Sequence, residues 1–183
     1  TAQQLTQGQQ DHNSALEWLP DSSGLLLSIN VKNSVNKPWD TDIVKLDIAT
    51  RQLTALTTQL GPDAIPRVSP DGKRIAWLGH KDKPSPFHEY QLYSAELDGS
   101  DFRHLTANND LSVIDFAWHL DGQQHYLQYE ARGKNVLAVL STAGALSPLT
   151  DEMSGWELDQ PYTQGQFSTA AGVVAFTQGN STT

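Results

Sequence analysis

The stretch VSPDGKRIAWLGH, residues 68–80, predicts a strand, a tight turn and a second strand. In its Pro-Asp-Gly turn, proline presets φ near −65°, aspartate bonds to the backbone that follows it, and glycine adopts a positive φ. The residues after the turn alternate with a period of two and include β-branched and aromatic side chains, which is typical of a half-buried strand.

The same hairpin recurs along the chain at a spacing of 50 residues. Pro20 opens PDSSG, Pro70 opens PDG, and Leu120 opens LDG. A degraded fourth copy, FSTAAGVVAFT at residues 167–177, has Ala170 in the proline position and Gly172 as the turn glycine. Self-similarity at a fixed period indicates a repeat architecture.

Two further markers run in phase with the hairpin. Leu-Thr pairs begin at Leu5, Leu56, Leu105 and Leu149, and each of the last three follows a strand, a small turn and a short strand. Each unit therefore predicts four strands, which in the second unit cover residues 64–68, 74–79, 91–96 and 102–105. About 50 residues per four-stranded unit predicts an all-β fold built from antiparallel β-propeller blades.

The markers divide the chain into three full blades and two partial ones. Residues 1–183 are thus predicted to form part of a single β-propeller domain, an incomplete one, with repeats at about 1–10 (the end of a blade), 11–58, 59–107, 108–151 and 152–183 (a partial blade). The first residues, TAQQLTQGQQ, include no Met, and we expect an excised fragment or a processed product. Open ends expose strand edges, so we also expect edge-strand self-association.

Three residues at corresponding places just before the turn are Trp18, Val68 and Trp118. We predict that they pack between blades and that the tryptophans do not stack on a ligand.

Composition narrows the function classes. The net charge of −9 argues against nucleic acid as a partner, because phosphate-binding surfaces are basic. The chain has no cysteine, which excludes disulfides, thiolate metal sites and a cysteine nucleophile in this segment. No apolar run approaches the roughly 18 residues of a membrane span, so we expect no membrane insertion.

Catalytic and cofactor motifs are absent from the sequence. There is no G-x-S-x-G elbow, so Asp115 and His119 lack a serine with which to form a triad. Phosphate-binding and zinc motifs are also missing. The tripeptide Asn180-Ser181-Thr182 matches a glycosylation acceptor, a pattern that is common by chance.

Candidate metal ligands do not cluster in the sequence. Asp21, Asp71 and Asp121 occur once per turn, which favours turn formation over calcium binding. The histidines are scattered, and the last two flank a turn at a spacing that does not suit a metal site; they are His12, His80, His88, His104, His119 and His125. The sequence therefore predicts no catalytic residue, no metal site and no cofactor in this chain.

Two insertions occupy the same slot in successive units, between the second and third strands. They are VKNSVNKPWDTD at residues 31–42 and HKDKPSPFHEY at residues 80–90, and both carry basic residues, prolines and an aromatic side chain. Such loops often contact a partner or a substrate, although an elaborated surface loop is the simpler interpretation. His88 or Glu89 is a candidate substrate contact, with no second anchor visible in the sequence.

The repeats resemble those of known propellers. RVSPDGKRIAWLGH (residues 67–80) followed by QLYSAELDGSDFRHLT (residues 91–106) resembles the repeats of TolB and of the prolyl oligopeptidase family. Residues 110–150 look like the propeller of acylaminoacyl-peptidase or dipeptidyl-peptidase-like members. Residues 161–183 look like the last propeller segment in bacterial members of that family.

This resemblance implies a parent serine peptidase with a propeller of seven or eight blades and a C-terminal α/β-hydrolase domain, absent here, as its partner. The propeller would cap the active site, admit short peptide substrates, and allow release of an acylated amino acid or a dipeptide. No triad position lies in this chain. Some relatives bind the substrate amine through glutamates on propeller insertions, but no motif aligns Glu89 with them. Bacterial members with this ending are often exported, so the resemblance slightly favours the periplasm.

The leading prediction is a non-catalytic gating segment of a serine exopeptidase acting on short or N-acylated peptides. The alternative is a TolB-like periplasmic protein-interaction propeller with no enzymatic activity. A period near 50 is longer than that of TolB-type repeats and favours the peptidase. A propeller lyase or glycosidase would need paired carboxylates that converge, and the sequence places no such pair.

Overall fold

The computed structural model describes residues 2–8, 16–32, 36–82, 87–157 and 160–179, and these residues form strands and connections without a helix. They fall into two compact units, residues 1–104 and 105–183. No helix in the described ranges is long and apolar enough to cross a membrane.

The first unit contains two four-stranded antiparallel sheets. The first sheet has the order β1-β2-β3-β4 and comprises β1 (Glu17–Trp18), β2 (Gly24–Ile29), β3 (Asp42–Asp47) and β4 (Leu53–Ala55). The second sheet repeats this meander with β5 (Asp63–Val68), β6 (Arg74–Gly79), β7 (Gln91–Glu96) and β8 (Arg103–His104). The four strands predicted for this repeat are therefore confirmed, with small shifts at two of the predicted strands.

The second unit contains a third four-stranded sheet and two hairpins. The sheet comprises β9 (Val113–Trp118), β10 (His125–Ala131), β11 (Lys134–Leu140) and β12 (Leu146–Met153). One hairpin pairs β13 (Gly155–Glu157) with β14 (Gln160–Thr163), and the other pairs β15 (Phe167–Ala170) with β16 (Val173–Phe176). The two-stranded β15–β16 sheet is the degraded fourth copy of the hairpin.

The three aspartates of the repeated turn perform one structural role. The Oδ1 atoms of Asp21, Asp71 and Asp121 each accept the backbone N–H two residues ahead, at 2.9, 3.1 and 2.8 Å. In the second and third copies the residue with positive φ is glycine, whereas in the first copy it is Ser22, at φ 60°. Turn formation is confirmed as the role of these aspartates.

The fourth copy uses a different turn. Ala170 pairs directly with Val173, so only Ala171 and Gly172 form the loop, and both have positive φ, at 50° and 78°. Two residues with positive φ form a type I′ turn, which suits the right-handed twist of a tight hairpin. The loss of proline at this copy therefore accompanies a change of turn type.

A hydrophobic cluster lies between the first two sheets. Leu26 and Ile43 of the first sheet pack with Val68, Ile75 and Trp77 of the second. On the opposite face of the first sheet, Leu25, Leu27 and Ile29 form another cluster with Val44 and Leu46, and Leu5 packs against it. Because both faces are covered, every residue of β2 is buried.

The Leu-Thr marker reflects this packing. Leu56 belongs to the cluster between the sheets, and the hydroxyl oxygen of Thr57 accepts the backbone N–H of Ile43 at 2.9 Å. Leu149, by contrast, lies within β12 and is 49% exposed, so the marker does not perform the same role in the third copy.

The prediction that the three residues before the turn pack between blades is confirmed for Val68. Val68 and Trp118 are buried, and Val68 lies in the cluster between the first two sheets. The prediction is wrong for Trp18, which is 57% exposed. Val68 faces the preceding sheet. Trp18 lies on the first sheet, and the structure describes no sheet before it that could cover this side chain.

Truncating a side chain between the first two sheets tests this packing. Leu26 is fully buried, so Leu26→Ala removes apolar contacts and leaves a cavity. We expect the free energy of unfolding to fall by about 2–5 kcal/mol in urea denaturation. The matched control Leu60→Ala, at a position that is 58% exposed, should change it by less than about 0.5 kcal/mol. Equal effects of the two substitutions would contradict the assignment of the core.

Edge-strand self-association stays a prediction, and β16 offers an edge for it. Its sheet has two strands in the part of the chain that the structure describes, and Val173 and Phe176 are 66% and 39% exposed. If this edge pairs with another copy, the mass measured by light scattering should rise with concentration, and Val173→Lys should suppress the rise. Leu60→Lys, which alters the other unit, should not. A mass that stays monomeric at high concentration would rule the association out.

Candidate functional site

The two insertions singled out in the sequence meet in the first unit. One connects β2 to β3 and the other connects β6 to β7, which confirms that they occupy the same slot in successive sheets. The ammonium group of Lys37 in the first loop pairs with the carboxylate of Asp82 in the second. Residues 33–35 and 83–86 of these loops lie outside the described residues, as do Asn180, Ser181 and Thr182 of the glycosylation pattern.

An open pocket of about 360 Å³ lies where the loops meet. Both insertions and the connection between the sheets contribute to its wall. The lining residues are Pro38, Trp39, Thr41, Pro62, His80, His88 and Tyr90. Because aromatic and prolyl groups dominate this wall, its surface is largely apolar and rigid.

Three rings pack together on one side of the pocket. The rings of His80 and His88 are stacked, with centroids 4.2 Å apart and planes inclined by 8°. Tyr90 meets His80 edge to face, with centroids 5.2 Å apart. The scattered histidines of the sequence thus include two that the fold brings into contact, and His88, a candidate substrate contact, lines the pocket while Glu89 does not.

The protonation of His80 follows from its surroundings. Burial lowers the pKa of the His80 imidazole, and the nearby His88 lowers it further, while the carbonyl of Lys81 opposes the shift. The Nδ1 atom lies 3.2 Å from that carbonyl oxygen. Because a carbonyl oxygen only accepts, Nδ1 carries the proton in this hydrogen bond. The lowered pKa favours the neutral form of the ring at pH 7.

Buried carboxylates adjoin the pocket. Asp40 and Asp42 flank Thr41, Asp63 follows Pro62, and each of the three is at most 4% exposed. Asp40 accepts the backbone N–H of Gly61 at 3.0 Å and lies 3.1 Å from the Lys32 ammonium. No pair of carboxylates was predicted here, because Asp63 begins a different strand from Asp42 and lies far from Asp40 and Asp42 along the chain.

Asp63 holds the two sheets together. Its carboxylate accepts the indole N–H of Trp77 at 2.9 Å, and its backbone carbonyl accepts the hydroxyls of Ser28 and Thr41 at 2.5 and 3.0 Å. Burial raises the pKa of Asp63 to about 6, against the opposing hydrogen bonds from Thr57 and Trp77. Burial also raises the pKa of Asp42, with Lys32 opposing it.

The remaining sequence candidates have structural partners elsewhere. The Nδ1 atom of His119 lies 3.2 Å from an Asp121 carboxylate oxygen in the turn, and Asp115 accepts the backbone N–H of Phe116. His104 stacks on Tyr93, and His125 lies against Trp118. Within the described ranges no group of three or more acidic, histidine or cysteine residues is arranged to hold a metal ion. His12 lies outside those ranges.

Comparisons with known proteins show the fold. No protein-family model matches the chain, and no curated protein matches it significantly in sequence. Among solved structures, TolB from Acinetobacter baumannii superposes with a TM-score of 0.59 at 20% identity, covering 91% of this chain and 41% of that protein. A putative TolB from Agrobacterium tumefaciens gives 0.61 at 18% identity, with 81% and 52% covered.

A third similar structure is an oligogalacturonate lyase in complex with manganese, with a TM-score of 0.63 at 14% identity, covering 81% of this chain and 44% of the lyase. The chain thus spans about half or less of the length of each of these proteins. Together with the four-stranded antiparallel sheets, these similarities show a TolB-like β-propeller fold. The assignment to the prolyl oligopeptidase family is not confirmed.

The raised pKa of Asp63 predicts a specific pH dependence. Folded Asp63 keeps its proton up to about pH 6, whereas the unfolded side chain releases it near its ordinary pKa of 3.8. The folded state therefore binds more protons in this window, and the contribution of Asp63 to the free energy of unfolding falls as the pH rises from about 4 to about 6.

Comparison with Asp63→Asn isolates this effect, because an asparagine oxygen still accepts from Trp77. Relative to the variant, the native chain should lose roughly 1–3 kcal/mol between pH 4 and pH 6.5 in urea denaturation. Other titrating groups are common to both proteins and cancel in the difference. Parallel stability curves for the two proteins would show that Asp63 titrates normally.

Proposed function

We propose that this chain is part of a non-catalytic interaction propeller, and that it binds a peptide segment of a protein partner in the pocket lined by Trp39, His80, His88 and Tyr90. The convergence of the two insertions on one aromatic pocket supports the proposal most strongly. Functional contacts in repeat folds are commonly made by loops that a rigid scaffold positions.

The chemistry of the pocket suits binding better than catalysis. Its rings and prolines provide apolar area at a low cost in conformational entropy, as in other peptide-binding grooves. The Nδ1 atom of His80 faces a backbone carbonyl. A catalytic histidine of a hydrolase needs a carboxylate on one ring nitrogen and a nucleophile at the other. The likeness of fold to two TolB structures supports an interaction role.

The second candidate is the gating segment of a serine exopeptidase. The observation that favours it is the spacing of 50 residues between hairpins, together with the long connections after β2 and β6. In that role the same pocket would contact a peptide on its way to an α/β-hydrolase domain. The similarities of fold favour the interaction propeller over this candidate, because a TolB and a putative TolB are among the similar structures.

Peptide binding can be measured directly on the ¹⁵N-labelled chain. The probes are five blocked pentapeptides of alanine whose central residue is lysine, glutamate, leucine, proline or tryptophan. We expect at least one to shift the backbone amide signals of Thr41 and His80, which line the pocket, saturably with a Kd near or below about 1 mM. Trp39→Ala should abolish its binding, because Trp39 lines the pocket and is 51% exposed, so its removal spares the core.

Trp18→Ala is the matched control, since Trp18 is 57% exposed and does not line the pocket. It should leave the affinity unchanged. If none of the five peptides binds, or if Trp39→Ala binds as well as the native chain, the pocket is not the interaction site. Inhibitor-sensitive hydrolysis of an aminoacyl-nitroanilide by the pure chain would contradict both candidate functions.

A further inference from the structure

We propose that the pocket selects a basic side chain, lysine or arginine, in the peptide that it binds. The inference rests on the proposed function and adds the chemistry of the occupant. Two features of the first unit carry it: the aromatic composition of the wall and an excess of carboxylates around it.

Aromatic rings form most of the pocket wall. Trp39, His80, His88 and Tyr90 supply four rings, and neither a lysine nor an arginine is among the lining residues. A cation placed over such faces is attracted by the ring quadrupole, and tryptophan is the strongest partner. The lowered pKa of His80 favours the neutral ring at pH 7, and a neutral ring does not repel an ammonium or guanidinium group.

In the part of the chain that the structure describes, the charged residues adjoining the lining residues in sequence, taken with their ion-pair partners, carry a net negative charge. Five of them are acidic: Asp40, Asp42, Asp63, Asp82 and Glu89. Three are basic: Lys32, Lys37 and Lys81. Partly buried charges are screened weakly, so this excess favours a cationic occupant and opposes an anionic one.

One of these carboxylates is incompletely neutralised. The Asp42 side chain is 4% exposed, and its Oδ2 atom lies 4.0 Å from the Lys32 ammonium, which is closer to Asp40 at 3.1 Å. The buried Oδ1 atom of Asp42 has no hydrogen-bond partner among the described residues. Lys32 therefore neutralises the Asp42 carboxylate only partly. This carboxylate would attract a cation bound in the pocket, whose wall includes the preceding residue Thr41.

An apolar side chain would fit the same walls but gain none of this attraction. Pro38, Pro62 and Trp39 can pack against the methylene stem of a lysine as readily as against norleucine. Discrimination between those two side chains therefore measures the charge alone.

The experiment titrates the ¹⁵N-labelled chain with N-acetyl-lysine amide, N-acetyl-arginine amide and N-acetyl-norleucine amide at pH 7.5. Both ends of each probe are blocked, so no terminal ammonium contributes. We expect the lysine and arginine probes to bind at least about tenfold more tightly than norleucine. Raising the salt from about 0.01 M to about 1 M should shrink this ratio.

Two variants test the residues behind the selectivity. Trp39→Ala should weaken the lysine probe by about tenfold or more, and Trp18→Ala should not. Asp42→Asn removes one nearby charge, so it should lower the ratio of lysine to norleucine affinity while norleucine binding stays the same. Thermal unfolding of each variant verifies that the fold is retained.

The outcomes separate the two proposals. If norleucine binds as tightly as lysine and both are weakened by Trp39→Ala, the peptide site stands and the preference for a basic side chain is overturned. If neither these probes nor any of the five pentapeptides binds, the proposed function fails as well. Tighter binding of the central-glutamate pentapeptide than of its lysine counterpart would also overturn the inference.

Discussion

The hydrogen bonds of Asp63 join the two sheets of the first unit to the pocket. The carboxylate accepts from Trp77 on β6, and the backbone carbonyl accepts from Ser28 on β2 and from Thr41 at the start of β3. Its backbone N–H donates to the carbonyl of Thr41 at 2.9 Å. Asp63 thus fixes β5, the first strand of the second sheet, against the first sheet. It lies beside Pro62 and Thr41, which form part of the pocket wall.

The buried carboxylate of Asp63 links the hydrophobic cluster to the loops that form the pocket. A buried carboxylate costs free energy unless it is hydrogen-bonded, and Asp63 meets part of that cost through Trp77. Trp77 is fully buried and stacks on Tyr93 within the hydrophobic cluster. The same side chain also donates the hydrogen bond to Asp63. The position of the loops therefore depends on the same packing that holds the sheets together.

The fold was largely predictable from sequence, whereas the site was predictable only in part. The predicted strands of the second repeat match the observed ones, because alternation and turn chemistry act over a few residues. The two loops were identified by their length and composition. The hydrogen bond between Asp63 and Trp77 was not predicted, because the sequence does not indicate that an aspartate at the start of one strand contacts a tryptophan within another.

The exposure of Trp18 also could not be predicted from the sequence. It matches Val68 and Trp118 in position within the repeat, yet its surroundings differ because burial depends on the sheet opposite, which a repeat pattern does not specify. The fourth hairpin likewise keeps its place in the period but forms a different turn.

The sequence by itself determined the repeated hairpins, the order of strands within each sheet and the place of the two long loops. These features follow from interactions between residues close along the chain: the aspartate that bonds two residues ahead, the residue with positive φ, and the alternation of side chains. Only the tertiary structure decided that Trp39, His80 and Tyr90 share one pocket and that three carboxylates lie beside it. Residues 40 or more positions apart meet there because two sheets stack, and stacking depends on the fit of whole sheet faces.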